Sequence, residues 1–186
     1  GGTDVAESFA ALPFDHLFFT GSGEIGKRVM RAAADHLTPI TLELGGKSPA
    51  VIDSSAKLKD VAASIIYGKL VNGGQTCIAP DYAVVHASDC EPFIQELQNA
   101  AQKQFSNPQE LTGAIDEQQL VRWQQLVQDA VDRGAQAIPL ITTSDNTALS
   151  FIPVALANVS EDALIMQEEI FGPILPIVAI NDIDSV

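Results

Sequence analysis

The side chain in this sequence that is best suited to covalent chemistry is the thiol of Cys77, in the loop from Asn72 to Pro80. Gly73 and Gly74 precede it, and glycine lets the backbone approach a ligand closely or adopt a positive φ. Pro80 fixes the backbone at the end of the loop and removes one amide donor. The loop therefore presents one thiol between a helical pattern and a strand pattern. The same pattern also fits a buried structural cysteine, because a free cysteine usually packs as a small hydrophobic residue.

A second candidate site is the glycine-rich turn Gly21-Ser22-Gly23-Glu24-Ile25-Gly26. The apolar run from His16 to Thr20 predicts a buried strand before it, and the pattern from Lys27 to His36 predicts a helix after it. Strand, glycine turn and helix together aim backbone N–H groups at a phosphate. A single G-x-G-x-x-G match is also typical of a tight turn without a ligand, so the turn alone leaves both interpretations open.

Glu43 is the third candidate, and two functional roles are open to it. It lies near the spacing at which a dinucleotide-binding fold places the acidic ligand of a ribose. It also lies in the predicted strand Ile40 to Leu44, just before Gly45 and Gly46. A carboxylate at the end of such a strand faces the crevice in which ligands bind, which favours a role other than ribose binding. The structural alternative is a solvated carboxylate at a strand end.

Strand and helix patterns alternate along the chain. The further predicted strands are 48–53, 82–86, 137–141, 152–156 and 174–180, and the further predicted helices are 58–70, 90–105 and 116–134. Asp116 with Gln119 resembles a capping box. The residues that we expect this last helix to turn inward are Leu120, Trp123, Val127 and Val131. The alternation predicts an α/β architecture, and the glycines after Leu44 are the best candidate for a domain boundary.

Composition excludes several classes of function. The chain has 186 residues, a net charge of -14 and 46% hydrophobic residues, which argues against nucleic acid or an anionic membrane surface as a partner. No apolar run is long enough for a membrane span, and the first residues lack the pattern of a signal peptide. Two cysteines form no disulfide framework, so we expect a cytoplasmic location. The three histidines are too scattered to predict a metal site.

Four blocks of the sequence together resemble the aldehyde dehydrogenase superfamily. They occur in the family's order and are Phe19-Thr20-Gly21-Ser22-Gly23-Glu24-Ile25-Gly26, Leu42-Glu43-Leu44-Gly45-Gly46-Lys47-Ser48-Pro49, Gly74-Gln75-Thr76-Cys77 and Glu168-Glu169-Ile170-Phe171-Gly172-Pro173. The run from Cys77 to Tyr82 resembles the class 3 branch, which includes fatty-aldehyde and coniferyl-aldehyde dehydrogenases. The resemblance extends over the whole chain but over less than half of a full family member. The chain also begins without methionine, so we expect a piece of a longer protein.

The resemblance implies the fold and the domains. Residues 1–44 would be the end of a Rossmann-like NAD(P)-binding domain, and residues 45–186 most of an α/β catalytic domain. It also implies the catalytic residues. Cys77 would attack an aldehyde to form a thiohemiacetal and then a thioester, and Glu43 would be the general base that activates water for its hydrolysis. A glutamate at this position favours water over coenzyme A as the acyl acceptor.

The resemblance further implies NAD or NADP as the cofactor. The residues implied to contact it are Gly21, Ser22 and Gly26 at the pyrophosphate, Leu44 at the nicotinamide amide, and Glu169 with Phe171 at the nicotinamide ribose. The expected partner is a small aldehyde, aromatic or fatty, and the full-length protein is expected to be a homodimer. Two alternatives remain: a cysteine-dependent thioester or ester hydrolase without nicotinamide, and a domain fragment without catalytic activity.

Overall fold

The computed structural model describes residues 1–105, 107, 110–142 and 149–183. It divides the chain into two compact units, Gly1–Gly46 and Lys47–Val186. Helices and parallel strands alternate in both units, so the predicted α/β class is confirmed. The division falls at the glycine pair that follows Leu44. None of the helices within these ranges is long and apolar enough to cross a membrane.

The first unit contains a strand-helix-strand motif. Its elements are α1 (Thr3–Ala10), β1 (Leu17–Gly21), α2 (Gly23–Ala34) and β2 (Ile40–Leu44). Strands β1 and β2 are parallel neighbours, and Gly21 pairs with Leu44 at their carboxyl ends. The helix predicted from Lys27 begins four residues earlier, because the Ser22 hydroxyl caps it by accepting the Ile25 N–H at 3.4 Å. The sequence patterns did not predict α1.

The second unit is a five-stranded sheet with helices packed on it. In chain order its elements are β3 (Pro49–Val51), α3 (Leu58–Leu70), β4 (Tyr82–His86), α4 (Cys90–Gln104), α5 (Glu117–Asp132), β5 (Gln136–Pro139), β6 (Val154–Ala157), α6 (Leu164–Gln167) and β7 (Ile174–Ile180). Short 3-10 turns follow α3 (Val71–Gly74) and β4 (Ala87–Asp89). Helix α3 and strands β4 and β7 have the predicted bounds, whereas β3 is shorter than the predicted strand 48–53.

The sheet has the strand order β3-β4-β7-β6-β5. All neighbours are parallel except β5, which runs antiparallel to β6 at the edge. Pro139 lies on that edge strand, a position at which proline is tolerated. The last strand in the sequence, β7, therefore lies between β4 and β6 in the middle of the sheet.

Two apolar clusters cover the two faces of this sheet, because side chains alternate along each strand. Ala155, Leu175 and Ile177 belong to the cluster with α3 and α4, whereas Leu156 and Ile174 belong to the cluster with α5.

The predicted core residue Trp123 is fully buried, and so is Phe93 on α4. The prediction for Val131 is wrong, since its side chain is 39% exposed. Helix α5 instead buries Trp123, Leu126 and Ala130. The fully buried stripe therefore shares only Trp123 with the predicted one.

Candidate active site

The loop that carries Cys77 begins with a sharp backbone reversal after α3. Asn72, Gly73 and Gly74 have φ values of 55°, 62° and 73°, in the left-handed region that glycine tolerates best. Gly73 and Gly74 are also required because there is no room for a side chain at either position. A Cβ on Gly73 would lie 2.5 Å from the carbonyl oxygen of Thr112, and one on Gly74 would overlap the carbonyl oxygen of Gly172. The glycine pair is thus explained by close backbone packing.

Gln75 fixes this loop to a neighbouring backbone segment. Its Nε2 donates to the carbonyl oxygens of Asn72 and Gly113, each at 3.0 Å, and its Oε1 accepts the Ile115 N–H at 2.9 Å. The side chain of Asn72 donates back to the Gln75 carbonyl oxygen at 3.0 Å. Because the side-chain nitrogen and oxygen of Gln75 are both hydrogen-bonded to backbone groups, the backbone just before Cys77 is held in place.

Cys77 itself is exposed, so the alternative of a buried structural cysteine is wrong for this residue. Its backbone N–H donates no hydrogen bond to any residue that the structure describes. The neighbouring turn is closed instead by the Ala79 N–H, which donates to the Thr76 carbonyl oxygen at 3.0 Å. An accessible thiol therefore lies beside an unused amide donor, the combination that acyl transfer through a cysteine requires.

The segment Glu168–Phe171 lies next to this loop. Gly172 follows it, and its carbonyl oxygen faces Gly74, three residues before Cys77. A Cβ on Gly172 would overlap the indole of Trp123, so the segment is packed tightly on its other side as well. The structure thus brings the loop of Cys77 and the segment of Glu169 and Phe171 together within the second unit.

A cluster of charged side chains, buried or partly buried, lies at this junction. Lys47 Nζ donates to Asp81 Oδ2 at 2.6 Å, to the Ile165 carbonyl oxygen at 2.7 Å and to the Glu168 carbonyl oxygen at 3.1 Å. Asp81 is only 3% exposed, and its second oxygen accepts the Ile170 N–H at 2.9 Å. This carboxylate is four residues beyond Cys77, so it ties the end of the loop to the Glu169 segment.

Lys69, near the end of α3, is a second cation of the cluster and, unlike Lys47, is buried, with 1% of its surface exposed. Removal from water lowers the pKa of its ammonium group from the ordinary 10.5 to about 8. The charge of Lys47 acts in the same direction, whereas Asp81 and Glu169 act against it. Lys69 therefore shares its electrostatic environment with a residue that we expect to bind the cofactor.

The remaining predicted site residues lie together in the first unit. Gly21, Glu43 and Leu44 are at the carboxyl ends of the paired strands β1 and β2, and Ser22 is the N-cap of α2. Gly26 packs against β2, because a Cβ there would lie 3.1 Å from Leu44 Cδ2. Glu43 is exposed and pairs in register with Thr20. The arrangement is the strand-turn-helix edge at which α/β folds bind ligands.

The first unit fits a phosphate at the start of α2. The helix begins at Gly23, and a Cβ built there meets no atom of the described chain within 4 Å. Backbone N–H groups at such a terminus attract anions. Gly21 is also needed for packing, since a Cβ there would lie 2.7 Å from the Phe19 ring. Gly21, Ser22 and Gly26 are therefore compatible with the pyrophosphate contacts implied by the sequence, and those contacts remain a prediction.

The histidines have local structural partners. His16 and His36 bond Thr41 Oγ1 and the Ala11 carbonyl oxygen, each at 3.0 Å, and His86 bonds Ser88 Oγ at 2.8 Å. In the part of the chain that the structure describes, no group of three or more His, Cys, Asp or Glu could hold a metal ion.

Sequence reasoning did not identify Asp81, Lys69 or Arg122, which surround the Glu169 segment. Asp81 and Lys69 lie next to apolar runs, and a charged residue that an apolar pattern places inside must find a partner. That signal was available for Lys69, which occupies the inward face of α3 beside Ile65 and Leu70.

Comparison with known proteins extends these observations. The model of the aldehyde dehydrogenase family matches residues 1–186. A protein of Pseudomonas aeruginosa named "Probable coniferyl aldehyde dehydrogenase" is 46% identical over 96% of this chain and 38% of its own length. The coniferyl aldehyde dehydrogenase of Pseudomonas sp. strain HR199 is 38% identical over 100% of this chain and 40% of its own length.

Solved structures agree with the sequence relatives. The substrate-bound state of AldH from Staphylococcus aureus has a TM-score of 0.89 and 36% identity, over 100% of this chain and 40% of that one. A 3,6-anhydro-L-galactose dehydrogenase in complex with NAP has a TM-score of 0.86 and 27% identity, over 100% of this chain and 41% of that one. The chain thus spans about two fifths of these relatives' length. With a family model that matches every residue and folds that agree over the whole chain, this chain belongs to the aldehyde dehydrogenase family.

Proposed function

We propose that the full-length protein containing this chain oxidises an aldehyde to a carboxylic acid with NAD or NADP, using Cys77 as nucleophile and Glu43 as general base. The observation that carries the proposal is the exposed thiol of Cys77 beside a backbone N–H that donates to no described residue, on a loop packed against the segment of Glu169 and Phe171. Family membership supports the same chemistry.

The side chains of this chain would perform the covalent steps. The thiolate of Cys77 attacks the carbonyl carbon, a C–S bond forms, and the carbonyl oxygen becomes an oxyanion. The Cys77 N–H stabilises this oxyanion with a fixed dipole. Bound NAD or NADP supplies the acceptor for the hydride that leaves the thiohemiacetal carbon.

Glu43 would act in the second half of the reaction. Its carboxylate takes a proton from water as the water oxygen attacks the thioester carbon. The C–S bond then breaks, the product leaves as a carboxylic acid, and Cys77 is restored. A positioned general base typically contributes about 10²- to 10⁴-fold in rate.

The cofactor contacts that we propose follow the family resemblance. Ser22, at the start of α2, together with Gly21 and Gly26 would receive the pyrophosphate, while Leu44 would contact the nicotinamide amide. Glu169 and Phe171 would bind the nicotinamide ribose. Support for these assignments comes from the helix terminus at Gly23 and from the partial exposure of Glu169 and Phe171.

The names of the relatives suggest the substrate class and the setting. Two proteins named as coniferyl aldehyde dehydrogenases support an aromatic aldehyde, and a fatty aldehyde is the second candidate. We infer a cytoplasmic homodimer for the full-length protein. Because the chain spans about two fifths of its relatives' length, we expect the 186-residue chain by itself to have negligible activity.

An activity assay tests this proposal. The full-length protein is mixed with NAD+ or NADP+ and with coniferyl aldehyde or a long-chain aldehyde. We expect absorbance of the reduced nicotinamide to appear and to disappear in the Cys77→Ala variant. The Cys90→Ala variant is the matched control and should retain activity, because Cys90 lies in the packed start of α4. Ester hydrolysis by Cys77 without any nicotinamide binding would instead support the hydrolase alternative. Turnover that survives Cys77→Ala would contradict the proposal.

A further inference from the structure

The backbone of Glu168–Phe171 is held in place mainly by side chains, because it lies outside regular secondary structure between α6 and β7. Phe171 has a φ of 48°, which is unfavourable for a bulky residue. Such a conformation persists only where the surroundings fix it. The side chains that contact this segment therefore determine where Glu169 and Phe171 point.

Arg122, on α5, makes the largest number of these contacts. Its Nη1 donates to the Ile170 carbonyl oxygen at 2.8 Å, and its Nη2 donates to the Glu169 carbonyl oxygen. The same Nη2 is 3.1 Å from Glu168 Oε2. One guanidinium thus holds three consecutive residues with Glu169 in the centre. A lysine could not reproduce this, because its single ammonium lacks the planar set of donors.

Neighbouring side chains complete the same set of bonds. Gln119 Nε2 and Trp123 Nε1, both on α5, donate to the Phe171 carbonyl oxygen at 2.9 and 3.1 Å. Asp81, which lies outside α5, accepts the Ile170 N–H. All the side-chain hydrogen bonds that Arg122 makes within the described ranges go to this segment. Its side chain is 30% exposed, so its replacement would release the segment without opening the core.

We propose that Arg122 is a positioning residue for the nicotinamide cofactor, which it serves by fixing the backbone that presents Glu169 and Phe171. The inference rests on the proposed function, since it requires those two residues to contact the nicotinamide ribose. It adds a residue on α5, outside the four blocks that carry the family resemblance. Among the described residues, the side-chain hydrogen bonds and ion pair of Arg122 go to Glu168, Glu169 and Ile170 and none goes to the loop of Cys77, so we expect the cost of mispositioning to fall on cofactor binding.

The test uses the full-length protein and two measurements. NADH and NADPH are titrated by fluorescence, and the rate of Cys77 alkylation by iodoacetamide is measured without cofactor. For Arg122→Gln we expect the dissociation constant of the preferred nucleotide to rise roughly tenfold, as the loss of about one net hydrogen bond to a charged group would give. Arg122→Lys should recover part of the affinity. The alkylation rate should not change in either variant.

The matched control is Arg133→Gln, which removes an arginine from the end of the same helix. Arg133 pairs with Asp129 at 2.9 Å, and in the part of the chain that the structure describes its side chain makes no hydrogen bond to the segment. The Arg133→Gln variant should bind nucleotide with the affinity of the wild type.

Three results would overturn the inference: unchanged affinity in folded Arg122→Gln, an equal loss in Arg133→Gln, or an alkylation rate that changes in step with affinity. If Arg122→Gln does not fold, wild-type affinity in Arg122→Lys would also overturn it. A wild-type protein that binds neither nucleotide would refute the proposed function itself.

Discussion

The two cysteines of this chain present their thiols in different environments. Cys77 is exposed on the loop after α3, whereas Cys90 is the first residue of α4 and packs against the cluster of α3 and α4. Burial, assisted by the charge of Asp89, raises the pKa of the Cys90 thiol above its ordinary value. Since the thiolate is the reactive form, Cys90 is protected both by its packing and by its protonation.

A direct consequence is selective alkylation. At pH 7.5 and with limiting iodoacetamide, we expect Cys77 to be modified at least roughly tenfold faster than Cys90, because a raised pKa lowers the thiolate fraction. Peptide mapping by mass spectrometry gives both rates from one sample. Unfolding in urea provides the control, since it should bring the two rates together. Equal rates in the folded protein would contradict the described difference in exposure.

The role proposed for Glu43 makes a kinetic prediction. Glu43→Gln should leave the first turnover nearly intact but slow thioester hydrolysis by about 10²-fold or more. A stopped-flow record should then show a burst of reduced nicotinamide, close to one equivalent per site, followed by a slow steady state. Glu24→Gln, which removes an exposed carboxylate from the first turn of α2, should behave like the wild type. An unchanged steady-state rate in Glu43→Gln would remove it from the role of base.

At the scale of elements, two glycines join the loop of Cys77 to the segment before β7. The Gly172 carbonyl oxygen occupies the space that a side chain on Gly74 would need, and the Trp123 indole occupies the space beside Gly172. The loop and the segment therefore contact each other through backbone atoms, and the segment packs against the Trp123 side chain of α5. Close packing of this kind leaves no room for adjustment.

Gly74→Ala should therefore be much more costly than a glycine substitution elsewhere. We expect it to lower the free energy of unfolding by roughly 3 kcal/mol or more, since backbone strain and steric overlap add. Gly134→Ala is the matched control, because Gly134 also has a positive φ, 99°, but its Cβ would enter open space. The strain alone should cost about 1 kcal/mol there. Urea unfolding of both variants measures the difference between their losses of unfolding free energy. Equal losses would show that the structure relieves the overlap between the new Cβ and the Gly172 carbonyl oxygen.

The elements themselves were largely predictable from the sequence, and the reasons are local. Helix α3 and the strands β4 and β7 follow from apolar periodicity and from the glycines and prolines that bound them. Asp116 caps α5 as expected, by accepting the Gln119 N–H at 2.8 Å. The Gln119 side chain, however, bonds the Phe171 carbonyl oxygen instead of completing the capping box. Such a long-range partner has no signature in the nearby sequence, and the same holds for Arg122.

For the molecule as a whole, the buried Lys69 makes the free energy of unfolding change with pH in the alkaline range. Lys69 has a pKa of about 8 in the folded protein and the ordinary 10.5 when unfolded. Between these values the unfolded chain binds a proton that the folded chain has released, so stability rises with pH. The contribution across this window is on the order of 3 kcal/mol.

Denaturant unfolding at pH values from 7 to 10.5 tests this effect. The difference in free energy of unfolding between the wild type and Lys69→Met should shift by this amount in favour of the wild type as the pH rises. Lys59→Met removes an exposed lysine from the same helix. Its free energy of unfolding should vary with pH in the same way as that of the wild type. Parallel curves for Lys69→Met would mean that Lys69 keeps its ordinary pKa after folding.

The sheet order has a consequence for synthesis on the ribosome. Strand β7 separates β4 from β6, yet about 90 residues lie between the end of β4 and the start of β7. At about 5–20 residues per second, translation takes roughly 5 to 20 s to cover that distance. During this time β4 exposes an apolar edge without its neighbour, a state that favours aggregation. The interval is therefore a window in which chaperones would act on the nascent chain.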